Sequence, residues 1–135
     1  MEEEANVNLI RHVYTEFTRG NIPGVLSLLA DDVEWTDPGY PDLPYAGARR
    51  GRKQVEDFFI KLNEYVALTQ FEPRSYISQG NTVVALGYFE GRGKATGKTF
   101  KSDWAMTWRI QDQKIVYYHA YVDTASVAKT LNKGS

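Results

Sequence analysis

The sequence predicts an α+β domain, with three helices in the first half followed by a meander of long antiparallel strands that the helices cover on one face. Three observations carry this. Apolar residues recur at helical spacing as far as Val66. From Phe71 onward the pattern turns β-rich and then strictly alternating. Turn signals at Gly80-Asn81 and Asp112-Gln113 divide that second half into strands.

Ile10, Val13, Tyr14 and Phe17 define the inward face of a first helix, which Gly20 stops as a left-handed cap residue. Asn21 caps a second, short helix with Pro23 in its first turn and Val25, Leu26, Leu28 and Leu29 as its stripe, ended by Asp31-Asp32. Val33 to Thr36 is a short extended run broken by Asp37-Pro38-Gly39, a turn signal. The segment Pro38–Gly51 reads as a long loop carrying two exposed tyrosines, Tyr40 and Tyr45, of the kind that forms lids or binding loops. Val55, Phe58, Phe59, Leu62 and Val66 mark a third helix. Strands follow at Phe71–Ser78 and Thr82–Phe89, then the basic hairpin loop GRGKATGK. Phe100, Ser102, Trp104, Met106 and Trp108 alternate with polar and small residues, a period-2 strand with an aromatic face. Lys114–Val122 forms the last strand, and Asp123 caps a terminal helix carrying Ala125, Val127, Ala128 and Leu131. Residues 1–135 read as a single domain, with no repeat, linker or low-complexity segment.

Composition narrows the function classes. The chain has no cysteine, which excludes disulfides, thiolate metal sites and cysteine nucleophiles. A net charge of −1 gives no global reason to bind nucleic acid or an anionic membrane. The acidic start MEEEANVNLIRH has no apolar run, and no stretch is long enough to span a bilayer, so a cytoplasmic protein is expected. The end Lys133-Gly134-Ser135 is polar and expected to fray. No paired-histidine, H-E-x-x-H, EF-hand or G-x-S-x-G pattern exists, so neither metal nor cofactor nor serine nucleophile is expected. Aromatic residues reach 13%, enough to fill a core and line an apolar pocket.

The string GNIPGVLSLLADDVEWTDP resembles the ketosteroid-isomerase-like and SnoaL-like polyketide-cyclase branch of the nuclear-transport-factor-2-like (NTF2-like) superfamily. GRKQVEDFFIKL is similar to the third helix of that family, and KIVYYHAYVDTASVAKTL to its last strand. The resemblance implies a cone-shaped, cystatin-like α+β barrel, in which a curved antiparallel sheet wraps three N-terminal helices around an apolar pocket. It also implies homodimers and a small apolar molecule as partner. It does not select a reaction, because one fold hosts many.

By this resemblance Asp37 is the candidate catalytic residue, the place of the isomerases' general base; a plain Asp-Pro-Gly turn is the competing reading. The isomerases' oxyanion donors, which include a protonated aspartic acid, fall here on Val13 and Met106, and their supporting tyrosine on Phe59. Tyr14 is one position on, about 100° around the helix. A standard steroid isomerase is therefore not expected. Asp123 is the alternative acid, against its reading as a helix N-cap. Tyr14, Trp35, Phe58, Phe59, Trp104, Met106 and Tyr118 are the expected substrate-binding residues. His119 shares parity with Tyr117 and Tyr121 on the opposite sheet face, where the family pairs its subunits; Asp103, Thr107 and Arg109 join them. The expected function is an isomerase, cyclase or lyase that uses a carboxylate base on an apolar carbonyl compound without a cofactor. The alternative is non-catalytic binding of a small hydrophobic ligand, or a dimerisation module.

Overall fold

The computed structural model describes residues 2–131, so Lys133-Gly134-Ser135 lies outside the described residues. Helix α1 (Glu2–Thr18) buries Ile10, Val13 and Tyr14 on its inward face, as the spacing predicts. Gly20 then takes φ 75°, a conformation that costs glycine little. In α2 (Ile22–Leu26) the Asn21 side chain accepts from the Gly24 amide.

The expected second helix is too long. Leu29 already belongs to strand β1 (Leu29–Asp37), and Asp31-Asp32 lies inside that strand. The reason is tertiary. Leu29 pairs with Ile115 across the sheet, and the Arg52 guanidinium donates twice to the Leu29 carbonyl, at 2.9 and 2.7 Å. These contacts hold extended a segment whose local pattern favours helix.

The Pro38–Gly51 segment is likewise not all loop. Strand β2 (Gly47–Arg50) pairs antiparallel with β1, Trp35 opposite Arg49 and Asp37 opposite Gly47. Helix α3 (Arg52–Tyr65) buries Val55, Phe58 and Phe59. Val66 fits its stripe but opens β3 (Val66–Gln79), which starts five residues before the expected Phe71. Strands β4 (Thr82–Gly93), β5 (Thr99–Gln111) and β6 (Lys114–Val122) follow. Asp112 and Gln113 both have positive φ, as a tight type I′ hairpin requires. Asp123 caps the short α4 (Thr124–Ala128), accepting from the Ser126 amide at 3.1 Å.

The six strands form one open, curved sheet in the order β2-β1-β6-β5-β4-β3. Among the described residues all pairings are antiparallel except β1 with β6, which is parallel and places Trp35 beside Tyr118. Inward and outward residues alternate along β4, β5 and β6, and the inward set packs against α1 and α3 in a continuous aromatic and aliphatic core. Gly87 lets the Trp104 ring lie flat on the sheet, since a Cβ there would stand 2.2 Å from the ring and 2.4 Å from the Glu72 carbonyl. No described helix is long and apolar enough to cross a membrane.

Candidate functional site

The concave face of the sheet and the inner faces of α1 and α3 enclose an apolar cavity of about 90 Å³. Of the expected binding residues, Tyr14, Trp35, Phe58, Phe59, Met106 and Tyr118 line it. Trp104 does not. It is buried one layer back, stacked on Phe71 at 5.2 Å and against Tyr14 at 5.6 Å. Its role is to wedge the wall, and its indole N–H is buried without a partner.

Asp37 ends β1, where strand parity turns it inward and Pro38 stops the pairing. It is buried, and both carboxylate oxygens accept hydrogen bonds: Oδ2 from Trp35 Nε1 at 2.9 Å and Oδ1 from the Tyr118 hydroxyl at 3.1 Å. The two donors stack on each other with ring centroids 3.9 Å apart. Asp37 is thus not on the cavity wall itself; the rings of Trp35 and Tyr118 stand between its carboxylate and the cavity. Burial pushes its pKa up to about 7, opposed by the two hydrogen bonds and by the positive charge of Arg49. A plain turn aspartate would be solvated and acidic, so the turn reading does not describe this residue.

The Tyr14 hydroxyl accepts from Trp108 Nε1 at 3.0 Å and donates to Met106 Sδ at 3.3 Å. One position from Val13 on the helix, it still reaches the cavity, because α1 presents Val13 and Tyr14 together to the sheet. A thioether is a weak acceptor. The hydroxyl proton is therefore readily turned onto a ligand oxygen. Burial raises the pKa of Tyr14, Tyr45 and Tyr118 above the ordinary tyrosine value, with the Asp37 charge adding to it for Tyr45 and Tyr118. All three keep their protons at neutral pH, and Tyr14 and Tyr118 act as donors.

Sequence reasoning missed Arg49, and it expected Tyr45, on its candidate binding loop, to be exposed. Tyr45 is buried and lines the cavity, although Tyr40 on the same loop is exposed as expected. The signal was the apolar run Leu43-Pro44-Tyr45-Ala46 inside an otherwise polar loop. Leu43, Tyr45 and Ala46 are all buried, so this stretch folds over the cavity as a roof. Arg49 clamps that roof: its guanidinium donates to the Tyr45 carbonyl at 2.6 Å, approaches Asp57 at 3.8 Å and lies 5.5 Å over the Phe58 ring. A doubled arginine in GARRG carried no hint of which one turns inward.

Asp123 is exposed and occupied as a cap, with Ser126 Oγ donating to Oδ2 at 2.6 Å, so it stands apart from the cavity. His119 lies on the convex face, its ring stacked on Tyr121 at 4.6 Å. Arg109 covers the Tyr117 ring at 4.4 Å. Cross-strand register puts Thr107, Val84 and Ile77 on that same face. Among the described residues no group of three or more His, Asp or Glu side chains is placed to hold a metal ion.

Residues 10–118 match the model of the SnoaL-like domain. The chain is similar to an NTF2-like protein from Burkholderia xenovorans LB400, with 31% identity over 96% of this chain and 98% of that one and a TM-score of 0.86. An NTF2-like protein of unknown function from Burkholderia pseudomallei K96243 is 27% identical over 95% of this chain and 98% of that one, with a TM-score of 0.88. TerC, crystallised with polyporic acid, is 26% identical over 94% of this chain and 98% of that one, with a TM-score of 0.85. A comparison with curated protein sequences found no match.

Proposed function

The chain belongs to the SnoaL-like domain family within the NTF2-like fold, and from that premise we propose that it binds a small, largely apolar carbonyl compound and moves a proton on it, as an isomerase or cyclase does. The observation that carries this reading is Asp37: a buried carboxyl with a pKa of about 7, held by two cavity-lining rings. A base whose pKa lies near the working pH combines a useful ionised fraction with useful basicity.

The geometry supports the following steps. Tyr118 lines the cavity, and its hydroxyl donates to Asp37 behind it. A proton leaving the carbon next to the substrate carbonyl passes to the Tyr118 oxygen as the Tyr118 proton passes to Asp37. The hydroxyl ends neutral, and the carboxylate ends as the acid. The electron pair left on carbon moves onto the carbonyl oxygen, where Tyr14 turns its hydrogen bond from Met106 Sδ to the developing enolate. Such a donor is commonly worth about 3 kcal/mol. Return of the proton at a different carbon completes an isomerisation. TerC, a 26% identical neighbour crystallised with polyporic acid, supports an organic small molecule as the occupant.

The test is deuterium exchange. Acetophenone and cyclohex-2-enone are incubated with the protein in D2O, and loss of the α-proton signal is followed by NMR. The wild type should exceed buffer, with the rate rising to a plateau above about pH 7, where Asp37 is ionised. Asp37→Asn should remove the excess. Equal rates for the two proteins would refute Asp37 as the base.

A second reading, binding without turnover, draws on the small size of the cavity and its almost wholly apolar walls. Under it, Asp37→Asn leaves ligand affinity unchanged and no exchange is seen in either protein.

A further inference from the structure

The cavity of about 90 Å³ is well below the roughly 300–1,000 Å³ typical of small-molecule sites. It holds part of a ligand. A second concavity, a surface groove of about 630 Å³, lies on the other side of one wall. Phe17, Phe59, Leu62, Val66 and Leu68 line both spaces. This wall is made of side chains. The Phe17 ring lies 5.9 Å from Phe59 and 5.1 Å from Phe71, so rings and not paired backbone make up this part of the partition.

We infer that the groove is the outer chamber of the same site, and that the ligand is an elongated amphiphile whose apolar end enters the cavity while an anionic end rests at Lys94. The inference rests on the pocket reading above and extends it. Ile22, Pro23, Ile60 and Ala67 give the groove a mainly apolar lining. Ile60 is 62% exposed, a large apolar side chain left in water on the outer flank of α3. Polar groups mark the two ends. Lys94 donates to the backbone and side-chain oxygens of Asn63, at the C-terminal end of α3. Both acceptors carry no formal charge, so the ammonium outweighs the partial negative charge of the helix end it caps. Glu56 stands about two turns earlier on α3 and disfavours an anion at that end. The charges thus fix which way round the ligand lies.

The probe is 8-anilinonaphthalene-1-sulfonate, an aromatic body with one sulfonate. Its affinity is measured by fluorescence titration on the wild type, Ile60→Asp and Lys94→Gln. Both positions are on the surface, and circular dichroism verifies that the variants fold. In parallel, 15N NMR follows the Trp35 and Trp108 indoles for the cavity and the Ile60 and Lys94 amides for the groove. We expect both sets to shift, with affinity falling about tenfold in Ile60→Asp and about threefold in Lys94→Gln. Indole shifts alone, with unchanged affinity in both variants, overturn the outer chamber and leave the pocket reading standing. Groove shifts alone overturn the connection between the two spaces. Binding at neither place overturns this inference and the pocket reading together.

Discussion

Replacing Asp37 with asparagine should make the protein more stable above about pH 4, and most of all at neutral to alkaline pH. In the unfolded chain Asp37 has an ordinary carboxyl pKa near 3.8; in the fold burial lifts it to about 7. Between these values the native state holds a proton that the unfolded state has released. Stability therefore falls as pH rises from about 4 to about 7 and stays low above that. The span corresponds to about 4 kcal/mol at about 1.4 kcal/mol per pH unit. Asparagine keeps the shape and carries no charge. Its carbonyl still accepts from Trp35, and the Tyr118 hydroxyl can reverse to accept from its amide. Urea unfolding followed by tryptophan fluorescence should show Asp37→Asn more stable than the wild type by about 2–4 kcal/mol at pH 8, with the gap closing toward pH 4. A gap that does not vary with pH, or a less stable variant at pH 8, would refute the argument that ionised Asp37 sits in a poorly solvating site.

Tyr14→Phe removes the acceptor of the buried Trp108 N–H, so it should cost about 1–3 kcal/mol in urea unfolding and weaken binding of a carbonyl ligand relative to its alkane analogue. Gly87→Ala drives a methyl into the Trp104 ring and the Glu72 carbonyl; a loss of about 3 kcal/mol is expected, and a neutral effect would show that this stack can shift. Light scattering should give a mass near twice 15.4 kDa, with Tyr121→Glu returning it to 15.4 kDa, because the exposed Tyr121, Ile77 and Leu86 make the convex face the surface most in need of a cover. Asp123→Ala should speed amide exchange at Ser126 and Val127 while leaving ligand affinity unchanged, since that carboxylate serves α4 alone.

What could be read from the chain follows the range of the interactions involved. The alternation from Phe100 to Trp108 and the Asp112-Gln113 hairpin are local, and both stand as expected. Asp123 as a cap is equally local. Leu28, Leu29 and Val66 show where locality fails. Their helical spacing is genuine, but sheet pairing with Ile115 and Gly93 holds the chain extended at Leu29 and Val66. The resemblance could name Asp37, whereas its buried environment could not be read, because the Tyr118 donor lies 81 positions away and reaches it only through the fold. Trp104 and Met106 share parity on β5, yet only Met106 reaches the cavity, since Tyr14 and Phe71 screen the other ring. Parity gives a face and says nothing of depth.

The lone parallel pairing, β1 against β6, also determines when the site comes into being. Trp35 and Tyr118 meet across it, and the Tyr118–Asp37 hydrogen bond spans 81 positions of the chain. Closing so long a loop costs chain entropy before any contact offsets it, and such pairings form late. In a chain emerging from the ribosome, Asp37 has no Tyr118 donor until β6 is made, so the proton affinity that suits it to its proposed task depends on a strand that follows it by some eighty positions.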